Sequence, residues 1–193
     1  MKSVALACAL ACLLACGPKP EPAPARESSV HNLDNEIVNP LAENDRADLF
    51  LFVRTDCPIS NRYAPELARI ADRFAAQSLD VWLIYVDVDE TPELIRKHIS
   101  EYKLPGTPLR DVEQELAKLA GVKVTPEAAL FDAGGERRYR GRIDDRQVDY
   151  GKQRREASSH DLVDAIEAVL AGRAPAVAEI NAVGCPLPPL GLE

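Results

Sequence analysis

The chain has 193 residues, 46% of them hydrophobic and 28% charged, with 31 acidic against 23 basic side chains and a net charge of -8. This length and apolar share fit a soluble globular domain better than a disordered chain and allow one domain with its own core. The acidic balance and a pI near 5.0 argue against nucleic acid as a partner.

In chain order, residues 1–16 are expected to lie outside the fold. Lys2 gives a positive start, and Ser3 to Ala15 is a small apolar run, shorter than the ~20 residues a membrane-spanning helix needs. That is the pattern of an export signal. Its end, Leu13-Leu14-Ala15-Cys16, resembles the lipobox of bacterial lipoproteins. The resemblance implies acylation of Cys16 and a lipid anchor in the cell envelope, facing the periplasm. A plain cleaved signal with incidental cysteines is the alternative. With Cys8 and Cys12 removed in the signal and Cys16 acylated, Cys57 and Cys185 remain as a candidate redox pair in a compartment that permits disulfides. Pro18, Pro20, Pro22 and Pro24 alternate within a tether over 17–29, which favours extended polyproline II reaching on the order of 30 Å over ten residues.

The folded domain is expected over 30–172. Val30 to Leu41 suggests a short hairpin turning at Asp34-Asn35. Leu49 to Val53 is an apolar strand, and the chain then turns at Cys57 into a helix with Tyr63, Leu67, Ile70, Ala71 and Phe74 on one face. Leu79 to Val88 is a buried strand. Thr91-Pro92-Glu93 opens a helix that runs to about Tyr102. A further helix is expected over Asp111 to Ala120, closed by Gly121. Glu127 to Asp132 and Glu136 to Ile143 form a hairpin on Ala133-Gly134-Gly135. Residues 144–158 are expected as a long polar loop, and Ser158-x-x-Asp161 as the capping box of a last helix. The proline-rich stretch 173–193 is expected as a flexible tail carrying Cys185. A parallel βαβ crossover followed by a hairpin and a helix makes an α/β sandwich on a mixed sheet.

The chemistry concentrates at Cys57. At a helix N-terminus, unpaired N–H groups stabilise a thiolate below the free pKa of ~8.5. Arg54 would help and Asp56 oppose, while the hydroxyls of Thr55 and Ser60 are candidate donors to the sulfur. The alternative is a buried, inert cysteine. His31, His98 and His160 read as solvated or structural, and Arg140, Arg142, Asp144 and Asp145 as a solvated charged loop. No residue spacing marks a metal site, and no cofactor motif is present.

Two local signals carry a family resemblance. Cys57 follows the strand "LFLFV" at a strand-to-helix junction, and "GVKVTP" ends in Pro126 just before a strand. With "TDCPISNRYAPEL", "VTPEAALFD", "YRGRIDD" and "VGC", the chain resembles the thioredoxin-like fold, specifically the redoxin/AhpC-TSA (peroxiredoxin-like) branch. The resemblance implies a thioredoxin-like three-layer sandwich with a mixed central sheet and a cis bond at Pro126. It also implies that Thr125 pairs with an extended substrate segment. By the same likeness, the thiolate of Cys57 attacks a protein or small-molecule disulfide or a peroxide, and Cys185 or an external thiol reductant resolves the product. Three departures keep other readings open. Ser60 replaces the second cysteine of C-x-x-C. The P-x-x-x-T-x-x-C pattern of peroxiredoxins is absent, as is the C-x-x-x-C of copper chaperones of this fold. A peroxidase and a non-catalytic binding module or copper chaperone are therefore the alternatives.

Overall fold

The computed structural model describes residues 30–42 and 45–190. The expected signal, Cys16 and the proline tether lie outside the described residues. Among those described, no helix is long and apolar enough to cross a membrane.

In chain order the elements are β1 (His31–Asn32), β2 (Ala47–Val53), α1 (Pro58–Phe74), β3 (Leu79–Tyr85), α2 (Pro92–Tyr102), β4 (Thr107–Arg110), α3 (Glu115–Ala120), β5 (Val124–Thr125), β6 (Glu127–Phe131) and β7 (Arg137–Gly141). They continue with β8 (Gln147–Asp149), β9 (Lys152–Gln153), α4 (Asp161–Leu170), β10 (Glu179–Ile180) and β11 (Cys185–Pro186). Seven strands form the central sheet in the order β1-β4-β3-β2-β6-β7-β10. β2 pairs parallel with β3 and antiparallel with β6, so the sheet is mixed.

β2 is buried along its whole length because both faces of the sheet are covered. Side-chain alternation divides it between two cores. Leu49, Leu51 and Val53 join Leu83, Tyr85, Ala128 and Leu130 beneath Tyr63, Leu67 and Ile70 of α1 and Leu162 and Ile166 of α4. Phe50 and Phe52 face the other way, with Ile84, Ala129 and Phe131, under Leu116, Ala117 and Ala120 of α3. Three layers result, and the C-terminal end of β2 delivers the chain to the N-terminus of α1 at Cys57.

Several expectations need correction. The segment 107–110 is a strand, β4, pairing parallel with β3, and the helix after it spans only Glu115–Ala120. Asp111 caps that helix from outside, accepting from the N–H groups of Glu115 (2.7 Å) and Ala117 (2.9 Å). The stretch 144–158 is not a plain loop but carries the β8–β9 hairpin. Ser158 does not cap α4. Its N–H (2.7 Å) and hydroxyl go to Asp145, and the N-cap position falls to His160 without a side-chain bond. The charges of 140–145 are not solvated either. Asp144, Asp145 and Arg140 are buried and paired, respectively, with Arg146, Arg154 and Glu127. Finally, the described part of the expected tail, 173–190, is folded. β10 is the edge strand of the central sheet, held parallel to β7, and β11 pairs antiparallel with β5.

Candidate active site

The end of β2 and the start of α1 fix Cys57. Its backbone is extended (φ -85°, ψ 108°), which makes it the N-cap residue, and Pro58 occupies the first helical turn where no N–H is required. The Cys57 Sγ therefore lies over free helix N–H groups, and that of Ser60 points at it from 3.5 Å. Cys57 is 1% exposed, with its sulfur 3.1 Å from the carbonyl oxygen of Thr125. β5 ends beside the sulfur, and the Thr125-Pro126 peptide bond there is cis.

Cys185 closes the site. It lies opposite Thr125 in the β5–β11 pair and forms a disulfide with Cys57, with the Cα atoms 6.1 Å apart. Of the residues singled out from the sequence, the structure thus brings Cys57, Cys185, Ser60, Thr125 and Pro126 together. Ser60 takes another role than expected, and Thr55 is not brought to the sulfur. Ser60 faces the sulfur with its backbone N–H, while its buried hydroxyl has no hydrogen-bond partner among the described residues. Thr55 turns away, donating its N–H to the Glu90 carboxylate (2.6 Å). Arg54 pairs with Asp56 (2.9 Å) and Asp87 (3.0 Å), so one cation is shared between two carboxylates and offsets the charge of Asp56 in part.

Four supporting residues were not picked out as a site in the sequence. Glu90 is 4% exposed and its second carboxylate oxygen has no partner among the described residues. Burial pushes its carboxyl up to about 7, against the pull of the Thr55 hydrogen bonds. Behind the Cys57 turn, the Asn61 amide donates to the Thr55 carbonyl oxygen (3.1 Å) and its oxygen faces His98 Nε2 (2.7 Å). His98 Nδ1 meets the hydroxyl of Tyr85 (2.9 Å). Burial lowers the His98 pKa and so favours the neutral ring. The contacts then assign the proton to Nε2, with Nδ1 accepting from Tyr85. No local motif announces these residues, since β3, α2 and α1 bring them together from distant positions.

The tail is seated by contacts other than the disulfide. Leu187 N–H bonds the Lys123 carbonyl (3.2 Å), Arg54 reaches the Pro186 carbonyl (3.3 Å) and the Gln114 amide reaches the Pro188 carbonyl (2.8 Å). Tyr150, at the tip of the β8–β9 hairpin, donates its hydroxyl to the Gly184 carbonyl (2.6 Å). Gly184 is buried against β5, where a Cβ would lie 2.4 Å from the Thr125 oxygen. From below, Glu127 accepts from the N–H of Lys123 (2.9 Å) and pairs with Arg140 (2.6 Å), which also reaches Glu179 of β10.

Away from this site, Glu66, Asp144 and His160 bring ligand atoms within 4.8 Å of one another. Arg146 pairs with both carboxylates and Arg69 with Glu66, which makes the cluster an ion-pair network.

Comparison with known proteins agrees with this geometry. Residues 45–137 match the family model described as Thioredoxin-like. No curated protein matches the chain. Among solved structures, a hypothetical protein from Sinorhizobium meliloti 1021 is 25% identical, with a TM-score of 0.69, over 82% of this chain and 88% of its own. An uncharacterized conserved protein from Geobacillus kaustophilus is 24% identical, with a TM-score of 0.68, over 82% and 86%. The thioredoxin domain of a thiol-disulfide oxidoreductase from Bacteroides vulgatus is 16% identical, with a TM-score of 0.51, over 71% and 88%. Seven strands in one mixed sheet, a cysteine capping the first long helix and a cis-proline turn against its sulfur agree with the match over 45–137: the fold is thioredoxin-like.

Proposed function

We propose that this chain is a thiol-disulfide oxidoreductase whose redox centre is the pair Cys57 and Cys185. The observation that carries the reading is the seating of Cys185 on β5, bonded to a sulfur at a helix N-terminus. Ser60 does not prevent turnover, because the second thiol arrives from the C-terminal strand rather than from within the motif. In the reducing direction, one protein thiolate attacks a substrate sulfur and expels a substrate thiolate. The second protein thiolate then attacks the protein sulfur of the mixed disulfide and expels the other substrate thiolate. Two electrons pass to the substrate, and the pair closes as Cys57–Cys185. An external dithiol reverses both steps. The N–H of Ser60 and the α1 terminus favour Cys57 as the thiolate of the pair.

The reading includes export and a lipid anchor, supported by the lipobox-like Leu13-Leu14-Ala15-Cys16 and the proline tether that follows. The wild-type chain is expected in the membrane fraction and Cys16→Ser outside it.

The experiment for the chemistry is catalysed reduction of a protein disulfide with an external dithiol as electron donor. Wild type is expected to turn over, and Cys57→Ser and Cys185→Ser each to lose turnover. Hydroperoxide, supplied in a parallel assay, separates this activity from the peroxidase chemistry of redoxins. Peroxide consumption without disulfide exchange would contradict the reading.

A further inference from the structure

We infer that outside partners bond to Cys185, and that Cys57 is the internal thiolate which never meets them while the tail is seated. This rests on the exchange reading of the pair and reverses the roles expected from the sequence, where Cys57 attacks and Cys185 resolves.

Access comes first. A thiolate attacks a disulfide sulfur in line with the S–S bond, so each sulfur must be approached from the side away from its partner. For Cys57 that side is the protein interior. The residue is 1% exposed and belongs to the core that α1 covers, with Thr125 and Ser60 against its sulfur. Cys185 is only half-buried, on a two-residue strand at the surface. Attack at Cys185 also releases the better leaving group, because the departing Cys57 thiolate remains at the α1 N-terminus beneath the Ser60 N–H.

Reduction does not by itself uncover Cys57. The tail is held by bonds that survive the loss of the disulfide: those of Tyr150 to Gly184, Arg54 to Pro186, Leu187 to Lys123 and Gln114 to Pro188. Cys185 therefore stays above Cys57 in the dithiol form. The balanced step is attack of an external thiolate on the Cys185 sulfur. It gives a mixed disulfide at Cys185 and a free Cys57 thiolate, and the second thiol of a dithiol partner then displaces Cys185 and leaves the partner oxidised. Oxidation of the protein by a substrate disulfide runs through the same intermediate.

The test uses reduced glutathione as the probe on the oxidised full chain, quenched in acid, alkylated and mapped without reductant. The expected product carries glutathione on Cys185 and the alkyl label on Cys57, and the opposite labelling overturns the inference. With glutathione disulfide, Cys57→Ser is expected to form its adduct on the order of tenfold faster than Cys185→Ser, although the α1 N-terminus favours the Cys57 thiolate. Adding Gly184→Ala to Cys185→Ser forces the tail off the Thr125 oxygen, and Cys57 should then react on the order of tenfold faster. Equal or faster reaction of Cys57 with Gly184 intact contradicts the shielding. No adduct on either cysteine, with the wild-type disulfide unmoved, overturns the exchange reading itself.

Discussion

Cys57 and Cys185 are 128 residues apart in sequence, yet their Cα atoms lie 6.1 Å apart and their sulfurs are bonded. The separation is inside the ~7 Å limit for a disulfide, and the β5–β11 pair holds Cys185 in place from its backbone. Closing so long a loop restricts the unfolded chain. Cys185→Ser should therefore lower the unfolding free energy by about 2–5 kcal/mol, measured by urea denaturation of the oxidised proteins. Wild type under strong reductant should lose a similar amount.

Glu90 links the Cys57 turn to pH. Its native pKa is raised to about 7 from an ordinary 4.5, so the folded state binds its proton more tightly than the unfolded chain does. The resulting stabilisation is complete below about pH 4.5 and disappears as pH rises through about 7, with a ceiling of about 3 kcal/mol. Asp48 and Asp111, both raised to about 6, act with the same sign. Glu90→Gln isolates the term. Its stability relative to wild type should increase from about pH 5 and level off above about pH 7 in paired urea titrations. A constant difference across that range would mean that Glu90 is ionised throughout.

Arg140 joins the floor of the site to its cover, since it pairs with buried Glu127 under β5 and reaches Glu179 on β10. Arg140→Ala leaves the Glu127 carboxylate buried without its cation. The expected cost is about 3–5 kcal/mol, read from urea denaturation, together with faster reduction of the disulfide.

Much of this framework was legible in the sequence. The apolar run at Leu49 to Val53, the spacing of Tyr63, Leu67 and Ile70, and the Thr91-Pro92 helix start all express local physics, and β2, α1 and α2 follow them. β4 was missed because Thr107-Pro108-Leu109-Arg110 has neither an alternating nor an apolar pattern, and it becomes a strand only by pairing with β3. The tail reads as mobile because it is proline-rich and lacks a periodic apolar pattern. Its order comes from contacts with Tyr150, Gln114, Arg54 and Lys123, none near it in sequence. The same holds at the site. The junction marks Cys57, while Glu90 and His98 become parts of it only through tertiary packing.

Tyr150 offers a mild way to loosen the tail. Tyr150→Phe removes the hydroxyl bonded to the Gly184 carbonyl and touches neither sulfur. One hydrogen bond is worth about 1 kcal/mol, so the Leu187 amide should exchange its hydrogen roughly fivefold faster, read by native-state hydrogen exchange. Unchanged exchange would mean that the hairpin does not restrain the tail.

Peptide mapping of the full chain across a glutathione redox series tests the redox pair most directly. The expected result is one reversible transition in which a Cys57–Cys185 cross-linked peptide is replaced by two free thiols, with two electrons per chain. Oxidised protein in which Cys57 is found only as sulfinic acid or as a mixed disulfide, never linked to Cys185, would contradict it.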